Sequence, residues 1–190
     1  MLRIAVLASG SGSNAESIYR YFEHSELAQV EMIVTNNTKA GVIQRFLDKK
    51  AVLRTFNYPE ESGAVLKELI AGADIVVLAG FLKMVPPSWT RAFNGRMLNI
   101  HPAILPKFGG KGMYGKHVHK AVSESAESET GITIHLVNEQ YDKGAIISQF
   151  FVDIEPGESP ELIEKKVRAL EQQYYAPTIE RWIENLILSQ

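Results

Sequence analysis

The residues best suited to chemistry lie at the end of an apolar segment, where Asn99 and His101 are separated by one residue and followed by Pro102. Side chains of an extended strand alternate between its two faces, so Asn99 and His101 point to the same side. Pro102 keeps His101 extended and has no N–H for a sheet, so the strand is expected to end there. An amide and an imidazole at such a strand end can hold a carbonyl oxygen that becomes negative, and we interpret them as catalytic.

A third polar group is needed to orient the histidine or to move protons, and Asp142 is the candidate. It lies in the segment Tyr141-Asp-Lys-Gly144, where Gly144 permits a tight return of the chain between two later strands. Taken alone, Asp142 is more simply an ordinary turn residue, and His101 alone is as readily a strand-end histidine bonded to backbone. The pairing of Asn and His ahead of Pro favours the catalytic interpretation.

A glycine-rich segment, Ala8-Ser-Gly-Ser-Gly-Ser-Asn14, separates the first predicted strand from the first predicted helix. Glycines allow close approach of a ligand, and the N-terminus of a helix offers unpaired N–H groups to an anion. We expect Gly12, Ser13 and Asn14 to bind a phosphate, although a tight turn with a serine cap would also explain the segment. It is not a Walker loop, because no Gly-Lys-Ser/Thr follows. It is a poor dinucleotide fingerprint, because Ala15 occupies the third glycine position.

Strands and helices alternate over the first hundred residues. The predicted strands are 2–8, 30–35, 52–56, 74–79 and 97–100, and the predicted helices are 13–22, 42–49 and 60–70. The apolar strands indicate a sheet covered on both faces, and the β-α-β-α order favours a doubly wound, mostly parallel α/β sheet of Rossmann-like architecture.

The rhythm changes after His101. A loop rich in Gly and Lys (107–116) precedes a predicted helix at 117–123, followed by two strands, 131–137 and 145–154, whose spacing predicts a late antiparallel return. Ser159 is expected to cap a C-terminal helix that starts at Pro160 or Glu161 and runs towards the terminus. Pro177 is expected to kink or divide that helix.

Composition excludes several classes of protein. The 190 residues suit one domain, or one with a small appendage, and the net charge of −2 gives no electrostatic reason to expect nucleic acid or a membrane surface as partner. Without cysteine there can be no disulfide and no thiolate metal site. The N-terminus is expected to be a first strand and not a signal peptide, and no apolar run approaches the about 20 residues of a membrane span. We therefore expect a cytoplasmic protein.

The segment Asn99-Ile-His-Pro-Ala-Ile-Leu-Pro106, together with Gly80-Phe-Leu82 and Asp142, resembles the folate-dependent formyltransferases. Within them, the glycine-rich loop and the chain length resemble the branch that formylates a glycinamide ribonucleotide. The resemblance covers essentially the whole chain. It implies 10-formyltetrahydrofolate as co-substrate and a ribonucleotide as acceptor. We expect no metal, because hydrogen-bond donors and proton transfer suffice, and we expect a monomer or homodimer whose partners are small molecules.

The resemblance also implies roles for further residues. It assigns the substrate phosphate to Gly12–Asn14, and nucleotide contacts, less securely, to Arg168 and Glu171. It implies a single formyltransferase domain over 1–190, with a phosphate- and nucleotide-binding half (1–100) and a folate-binding and catalytic half (101–190). The residues implied in folate binding are Leu82, Lys83, Met84, Val85, Asn138, Glu139, Gln140 and Tyr141.

Some features depart from the family, and some alternatives stay open. The loop after Pro106 is longer and richer in glycine than in many members, and Asn57–Ser62 has no clear counterpart of an arginine that contacts formyl-folate in several relatives. Lys107, Lys111 and Lys116 could meet an anion or simply be solvated. A hydrolase of 10-formyltetrahydrofolate is expected to carry an extra N-terminal domain, and a tRNA formyltransferase a basic C-terminal module. A non-catalytic nucleotide-binding module would leave Asn99, His101 and Asp142 without a role.

Overall fold

Strands and helices alternate along most of the chain in the computed structural model, which describes residues 1–188. In chain order the elements are β1 (Leu2–Leu7), α1 (Ser13–Phe22), β2 (Ala28–Thr35), α2 (Gly41–Phe46), β3 (Val52–Thr55), α3 (Ser62–Gly72), β4 (Ile75–Leu78), α4 (Pro87–Ala92), β5 (Met97–His101), α5 (Lys116–Ser123), β6 (Glu129–Leu136), β7 (Ile146–Asp153) and α6 (Pro160–Leu188).

One seven-stranded sheet has the order β3-β2-β1-β4-β5-β6-β7. The five strands from β3 to β5 are parallel, β6 runs antiparallel to β5, and β7 runs antiparallel to β6. The predicted Rossmann-like, mostly parallel sheet with a late antiparallel return is confirmed. The strand order reverses between β1 and β4, which is where open sheets of this kind bind ligands.

Both faces of the sheet are buried, which explains why its strands look continuously apolar in the sequence. In β1, Ile4 and Val6 face one hydrophobic layer, shared with α1, α5 and α6. Ala5 and Leu7 face the other layer, shared with α3 and α4. All four side chains are fully buried, so a strand with helices on both sides needs apolar residues at every position.

Helix α4 is the element that the sequence patterns did not predict. It spans only six residues and starts with Pro87, which is well placed at the first helical position. Its buried Trp89 donates from Nε1 to the Ser62 carbonyl oxygen over 3.1 Å. A helix this short has too few residues to show a periodic pattern, so its position depends on the packing of one tryptophan.

Helix α6 starts as predicted but is not divided by Pro177. The Ser159 hydroxyl accepts from the Leu162 N–H over 3.3 Å, with Pro160 next to it. The helix then continues through Pro177 to Leu188, so the predicted division is wrong. Buried residues on both sides of the proline, Tyr175 and Ile179 among them, pack into the same hydrophobic layer. This packing outweighs the one backbone hydrogen bond that a proline removes.

Candidate active site

A single cavity of about 750 Å³ lies at the carboxyl ends of β1, β4 and β5, at the point where the strand order reverses. Every residue that the sequence predicted for catalysis or binding lines it. These residues are Gly12–Asn14, Leu82–Val85, Asn99, His101, Asn138–Asp142, Arg168 and Glu171. Segments more than 150 residues apart in the chain therefore meet in one space.

The glycine-rich loop is shaped by Gly12, which precedes α1 in a left-handed conformation with φ of 78°. A Cβ atom at this position would lie 2.6 Å from Val42 Cβ, so only glycine fits there. The first turn of α1 has no side-chain cap, so the serine cap that the sequence allowed does not form. Arg45 donates from Nε to the Ser11 carbonyl oxygen over 2.7 Å and so fixes the backbone of the loop.

Asn14 and Glu171 meet in this cavity, although 157 positions separate them in the chain. The Asn14 amide donates from Nδ2 to Glu171 Oε2 over 2.9 Å, and Gln172 donates to Asn14 Oδ1. Burial raises the pKa of the Glu171 carboxyl, and the Asn14 amide and the nearby Arg168 guanidinium only partly oppose the effect. Arg168 pairs with Glu164, 2.6 Å away. A ligand at this end of the cavity therefore meets one guanidinium, that of Arg168, and two carboxyls, those of Glu164 and Glu171.

Asn99 is oriented by a histidine that the sequence reasoning did not find. The antiparallel register of β5 and β6 places His135 directly opposite Asn99. His135 Nδ1 lies 2.8 Å from the Leu136 carbonyl oxygen, which can only accept, so this nitrogen donates. In the neutral ring Nε2 then accepts from the Asn99 amide over 3.1 Å. One amide hydrogen of Asn99 is thereby fixed, and the other remains for the cavity.

Asp142 lies between the two imidazoles of the site. Its Oδ2 atom is 3.6 Å from His101 Nδ1, and its Oδ1 atom is 3.7 Å from His135 Nε2. The Gly110 N–H donates to Oδ2 over 2.8 Å. The other ring nitrogen of His101, Nε2, lies 2.8 Å from the Phe108 carbonyl oxygen and must donate to it. The strand end and the distant turn therefore converge, and Nδ1 of His101 is the nitrogen that faces the carboxylate.

The electrostatics of this cluster favour a neutral imidazole beside an ionised carboxylate. Burial lowers the pKa of the His101 imidazole, and the Asp142 carboxylate only partly offsets that effect. Burial alone would raise the pKa of the Asp142 carboxyl, but His135, His101 and the Gly110 N–H outweigh it and lower that pKa. A proton delivered to the pair therefore has two acceptors within a short distance of each other.

The chain after His101 is held by a buried threonine of β6. The Thr133 hydroxyl donates to the Ala103 carbonyl oxygen over 2.8 Å and accepts from the Leu105 N–H over 3.0 Å. Gln149 of β7 donates from Nε2 to both the Leu105 carbonyl oxygen and Thr133 Oγ1, each over 3.0 Å. The Leu105–Pro106 peptide bond is cis. The two antiparallel strands thus fix the segment that carries the catalytic candidate.

The two segments implied in folate binding form the wall of the cavity beyond the cluster. Leu82 and Met84 are exposed, and the Tyr58 hydroxyl donates to the Met84 carbonyl oxygen over 2.9 Å. In the other segment the carboxylate of Glu139 pairs with Arg91 at 2.9 Å. This wall is apolar over part of its surface and open to solvent.

The lysines of the loop 107–116 and His119 of α5 lie in different environments. Lys111 lines the cavity, whereas Lys107 pairs with Glu127 at 2.7 Å. His119 is buried at the cavity wall, and burial lowers the pKa of its imidazole. Within residues 1–188, no three His, Asp or Glu side chains are grouped as a metal site would require.

Comparison with known proteins places this geometry in a family. The family model described as formyl transferase matches residues 2–179 of the chain. The chain belongs to the formyl transferase family. None of the helices within residues 1–188 is long and apolar enough to cross a membrane.

One relative of this chain is the chloroplastic phosphoribosylglycinamide formyltransferase of Arabidopsis thaliana. The two sequences are 38% identical over 188 residues, and the match covers 93% of this chain and 64% of the plant protein. The Vigna unguiculata protein of the same name is 36% identical over 98% of this chain and 62% of its own length. The chain thus spans a little under two thirds of these plant relatives. The Haemophilus influenzae phosphoribosylglycinamide formyltransferase is 33% identical over 96% of this chain and 87% of that protein.

Solved structures share the fold of this chain. The crystal structure of phosphoribosylglycinamide formyltransferase from Bacillus halodurans has a TM-score of 0.86 and 33% identity, and the match covers 99% of this chain and 97% of that one. Glycinamide ribonucleotide transformylase 1 from Geobacillus kaustophilus has a TM-score of 0.87 at 32% identity over 96% of this chain and 99% of that one.

Proposed function

We propose that this chain transfers the formyl group of 10-formyltetrahydrofolate to the amine of 5'-phosphoribosylglycinamide. The product is N-formylglycinamide ribonucleotide, an intermediate of de novo purine (IMP) biosynthesis. The observation that carries the proposal is the shared cavity, where a loop suited to phosphate and the cluster of Asn99, His101 and Asp142 open into one space. The family match and the names of the relatives support the same reaction.

The nucleophile of the proposed reaction needs no strong base. An α-amino group has a pKa of about 7.7–8.0, so an appreciable fraction is neutral near pH 7. The neutral amine attacks the formyl carbon, and the carbonyl electron pair moves to the oxygen. Collapse of this tetrahedral adduct breaks the bond to N10 of the folate, which takes up a proton as the attacking nitrogen loses one. The demanding steps are therefore charge development on oxygen and the movement of one proton.

Asn99 and His101 are proposed to stabilise the oxyanion. The amide hydrogen of Asn99 that His135 leaves free can donate to the developing charge. Nε2 of His101 already donates to the Phe108 carbonyl oxygen, so Nδ1 is an acceptor in the neutral ring and can donate to the oxyanion only after His101 has taken up a proton. Because both side chains belong to β5, whose register is held on two sides by β4 and β6, they are positioned before the substrate binds.

Asp142 is proposed to hold His101 in a suitable protonation state and to relay the proton. Its carboxylate lies 3.6 Å from His101 Nδ1, a gap that a small movement can close. The lowered pKa of its carboxyl keeps it ionised at neutral pH, as a proton acceptor must be. This route uses hydrogen-bond donors and proton transfer and requires no metal.

The remaining residues are assigned to the substrates. Gly12, Ser13 and Asn14 are proposed to bind the phosphate of the ribonucleotide, and Arg168 and Glu171 to contact the nucleotide. Leu82–Val85 and Asn138–Tyr141 are proposed to bind the folate. We further propose that residues 1–190 act as one domain, with nucleotide binding mainly in 1–100 and folate binding and catalysis mainly in 101–190. The support is that both parts line the same cavity.

The location, oligomeric state and partners of the chain are also proposed here. We propose a cytoplasmic enzyme that works as a monomer or homodimer on small-molecule partners, with no role for nucleic acid or a membrane. The net charge of −2 supports this, since it offers no attraction to polyanions. The two plant relatives are named chloroplastic.

One assay tests the proposed function. Consumption of 10-formyltetrahydrofolate is followed with and without glycinamide ribonucleotide, in the presence of a chelator. Consumption that depends on the ribonucleotide supports the transferase. Consumption without it would identify a hydrolase, and no consumption a nucleotide-binding module. Loss of activity in the chelator would contradict the metal-free route.

A further inference from the structure

Ser9 lies two residues after the end of β1, within the glycine-rich segment and at the point where the strand order reverses. It is 6% exposed. Its N–H donates to the Gly80 carbonyl oxygen over 3.0 Å, beyond the end of β4. Its hydroxyl accepts from the Leu82 N–H over 3.0 Å and donates to Asn36 Oδ1 over 2.5 Å, after the end of β2. One side chain therefore joins segments that follow three neighbouring strands.

Two segments that line the cavity meet at Ser9. The chain from Gly10 to Asn14 is the wall assigned to phosphate, and the chain from Leu82 to Val85 is the wall assigned to folate. The Leu82 N–H is the first donor of the second wall, and Ser9 precedes the first wall by one residue. Ser9 is not among the residues that line this cavity, whereas Leu82, whose N–H its hydroxyl binds, is one of them.

We propose that Ser9 is a positioning residue that fixes the folate-binding wall against the phosphate-binding loop and thereby couples the binding of the two substrates. This inference rests on the proposed function. The Ser9 hydroxyl connects both walls. When one ligand orders its own wall, the other wall is also partly ordered, so the second ligand pays a smaller entropic cost on binding. By linkage the effect is reciprocal, so each substrate strengthens binding of the other by the same factor.

The contribution of the hydroxyl is separable from the integrity of the sheet. Backbone hydrogen bonds hold β1 between its neighbours without it, from the Ala8 N–H to the Val34 carbonyl oxygen over 3.0 Å and from the Ala79 N–H to the Leu7 carbonyl oxygen over 2.8 Å. A second, open and polar cavity of about 730 Å³ adjoins Ser9 and Leu82. Water from this cavity can satisfy the Leu82 N–H in a variant, but it cannot tie the two walls together.

The test is Ser9→Ala, with steady-state kinetics and direct binding. The KM for 10-formyltetrahydrofolate is expected to rise by about 2- to 12-fold, the range for loss of one neutral hydrogen bond. The kcat and the Kd for the ribonucleotide alone are expected to stay close to wild type. The factor by which the ribonucleotide strengthens binding of tetrahydrofolate, an unreactive probe, is expected to fall towards one. Equal changes in both KM values, or an unchanged coupling factor, would overturn the inference.

Matched variants separate positioning from loss of structure. Ser123→Ala removes a hydroxyl that donates to the Glu158 carbonyl oxygen over 2.7 Å; neither residue lines the cavity, so the variant should change neither KM. Asn36→Ala removes the acceptor that orients the Ser9 hydroxyl, so it should raise the KM for formyl-folate less than Ser9→Ala does. In the double variant Asn36→Ala should add nothing.

If Ser9→Ala does not fold, Asn36→Ala decides the question through the same selective rise in the KM for formyl-folate, and an unchanged KM overturns the inference. A wild-type chain that consumes no formyl-folate would refute the proposed function instead.

Discussion

The amide of Asn99 has one hydrogen fixed by His135 and one left for the cavity, which makes this residue a single oriented donor. Orientation is what separates an oxyanion site from a solvated amide, because a fixed dipole needs no rearrangement when charge develops. His135 was not found from the sequence, yet it decides where this donor points. The proposed role of Asn99 as an oxyanion donor thus depends on a contact between two strands.

Asn99→Ala is expected to lower kcat by about 10²–10³-fold, roughly 2.7–4 kcal/mol, the usual cost of removing one oxyanion donor. The Kd for the ribonucleotide should stay nearly unchanged, because the amide acts on the formyl oxygen and not on the nucleotide. Steady-state kinetics and calorimetric titration measure the two quantities. Weakened nucleotide binding with intact chemistry would place Asn99 in the nucleotide site.

The pKa of His101 is expected to lie below 6.5 in the folded chain, because burial disfavours the imidazolium. Asp142→Asn should lower it further, since the carboxylate is the group that opposes burial. Titration of the ring signals by NMR measures both values. An unchanged or raised pKa in Asp142→Asn would show that the carboxylate does not act on this ring.

The same shift has a consequence for stability. Between pH 6.5 and the lower pKa of the folded chain, the unfolded His101 binds more protons than the folded one. The contribution of His101 is therefore fully present above pH 6.5 and is lost as the pH falls through this window. The lowered pKa of Asp142 has the same direction, at pH values below its unfolded pKa of about 3.8.

At the scale of elements, the glycine-rich loop depends on how closely α2 approaches it. Val42 at the start of α2 donates from its N–H to the Gly10 carbonyl oxygen over 3.1 Å, and its side chain fills the space beside Gly12. The left-handed conformation of Gly12 turns the chain into α1 at this point. The proposed phosphate site is thus shaped by two helices and not by the loop alone.

Gly12→Ala is expected to lower the free energy of unfolding by about 1–3 kcal/mol, because the new Cβ meets Val42 and the residue must keep a positive φ. Gly10→Ala is the matched control, since a Cβ there would meet nothing within 4 Å. Urea denaturation measures both variants. Equal losses would show that the glycines serve chain flexibility and not the fit against α2.

Helix α6 is fastened to the sheet by Tyr175, whose buried hydroxyl donates to the Leu78 carbonyl oxygen over 2.8 Å at the end of β4. Tyr175→Phe keeps the ring but leaves that carbonyl without its donor. The expected cost is about 1–3 kcal/mol in the free energy of unfolding. Tyr174→Phe is a control one residue earlier, and a similar loss there would contradict the role given to the Tyr175 hydroxyl.

At the scale of the whole molecule, ligands are expected to stabilise the folded chain because the cavity is assembled from distant segments and exists only after folding. At 100 times its Kd, the ribonucleotide should add about 2.7 kcal/mol to the free energy of unfolding. Thermal denaturation with glycinamide ribonucleotide measures the effect. The same ligand without its phosphate group should stabilise the chain far less at the same concentration. Equal stabilisation by both ligands would contradict the proposed phosphate site at Gly12–Asn14.

Much of the fold could be predicted from local patterns. Continuous apolar strands separated by amphipathic helices indicated the parallel sheet, and Ser159 and Pro160 marked the start of α6. Helix α4 was not predicted because six residues are too few to show a helical period. The division predicted at Pro177 was wrong because tertiary packing outweighed one lost hydrogen bond. Local signals describe single elements well and are overridden where buried contacts compete with them.

The sequence by itself determined which residues could do chemistry: Asn99 and His101 two apart on a strand, Asp142 in a turn, and the glycines before α1. Only the tertiary structure decided that these residues share one cavity and that His135 faces Asn99. The reason is register. Whether His135 lies opposite Asn99 depends on how β6 pairs with β5, and a shift of one residue would turn it to the other face.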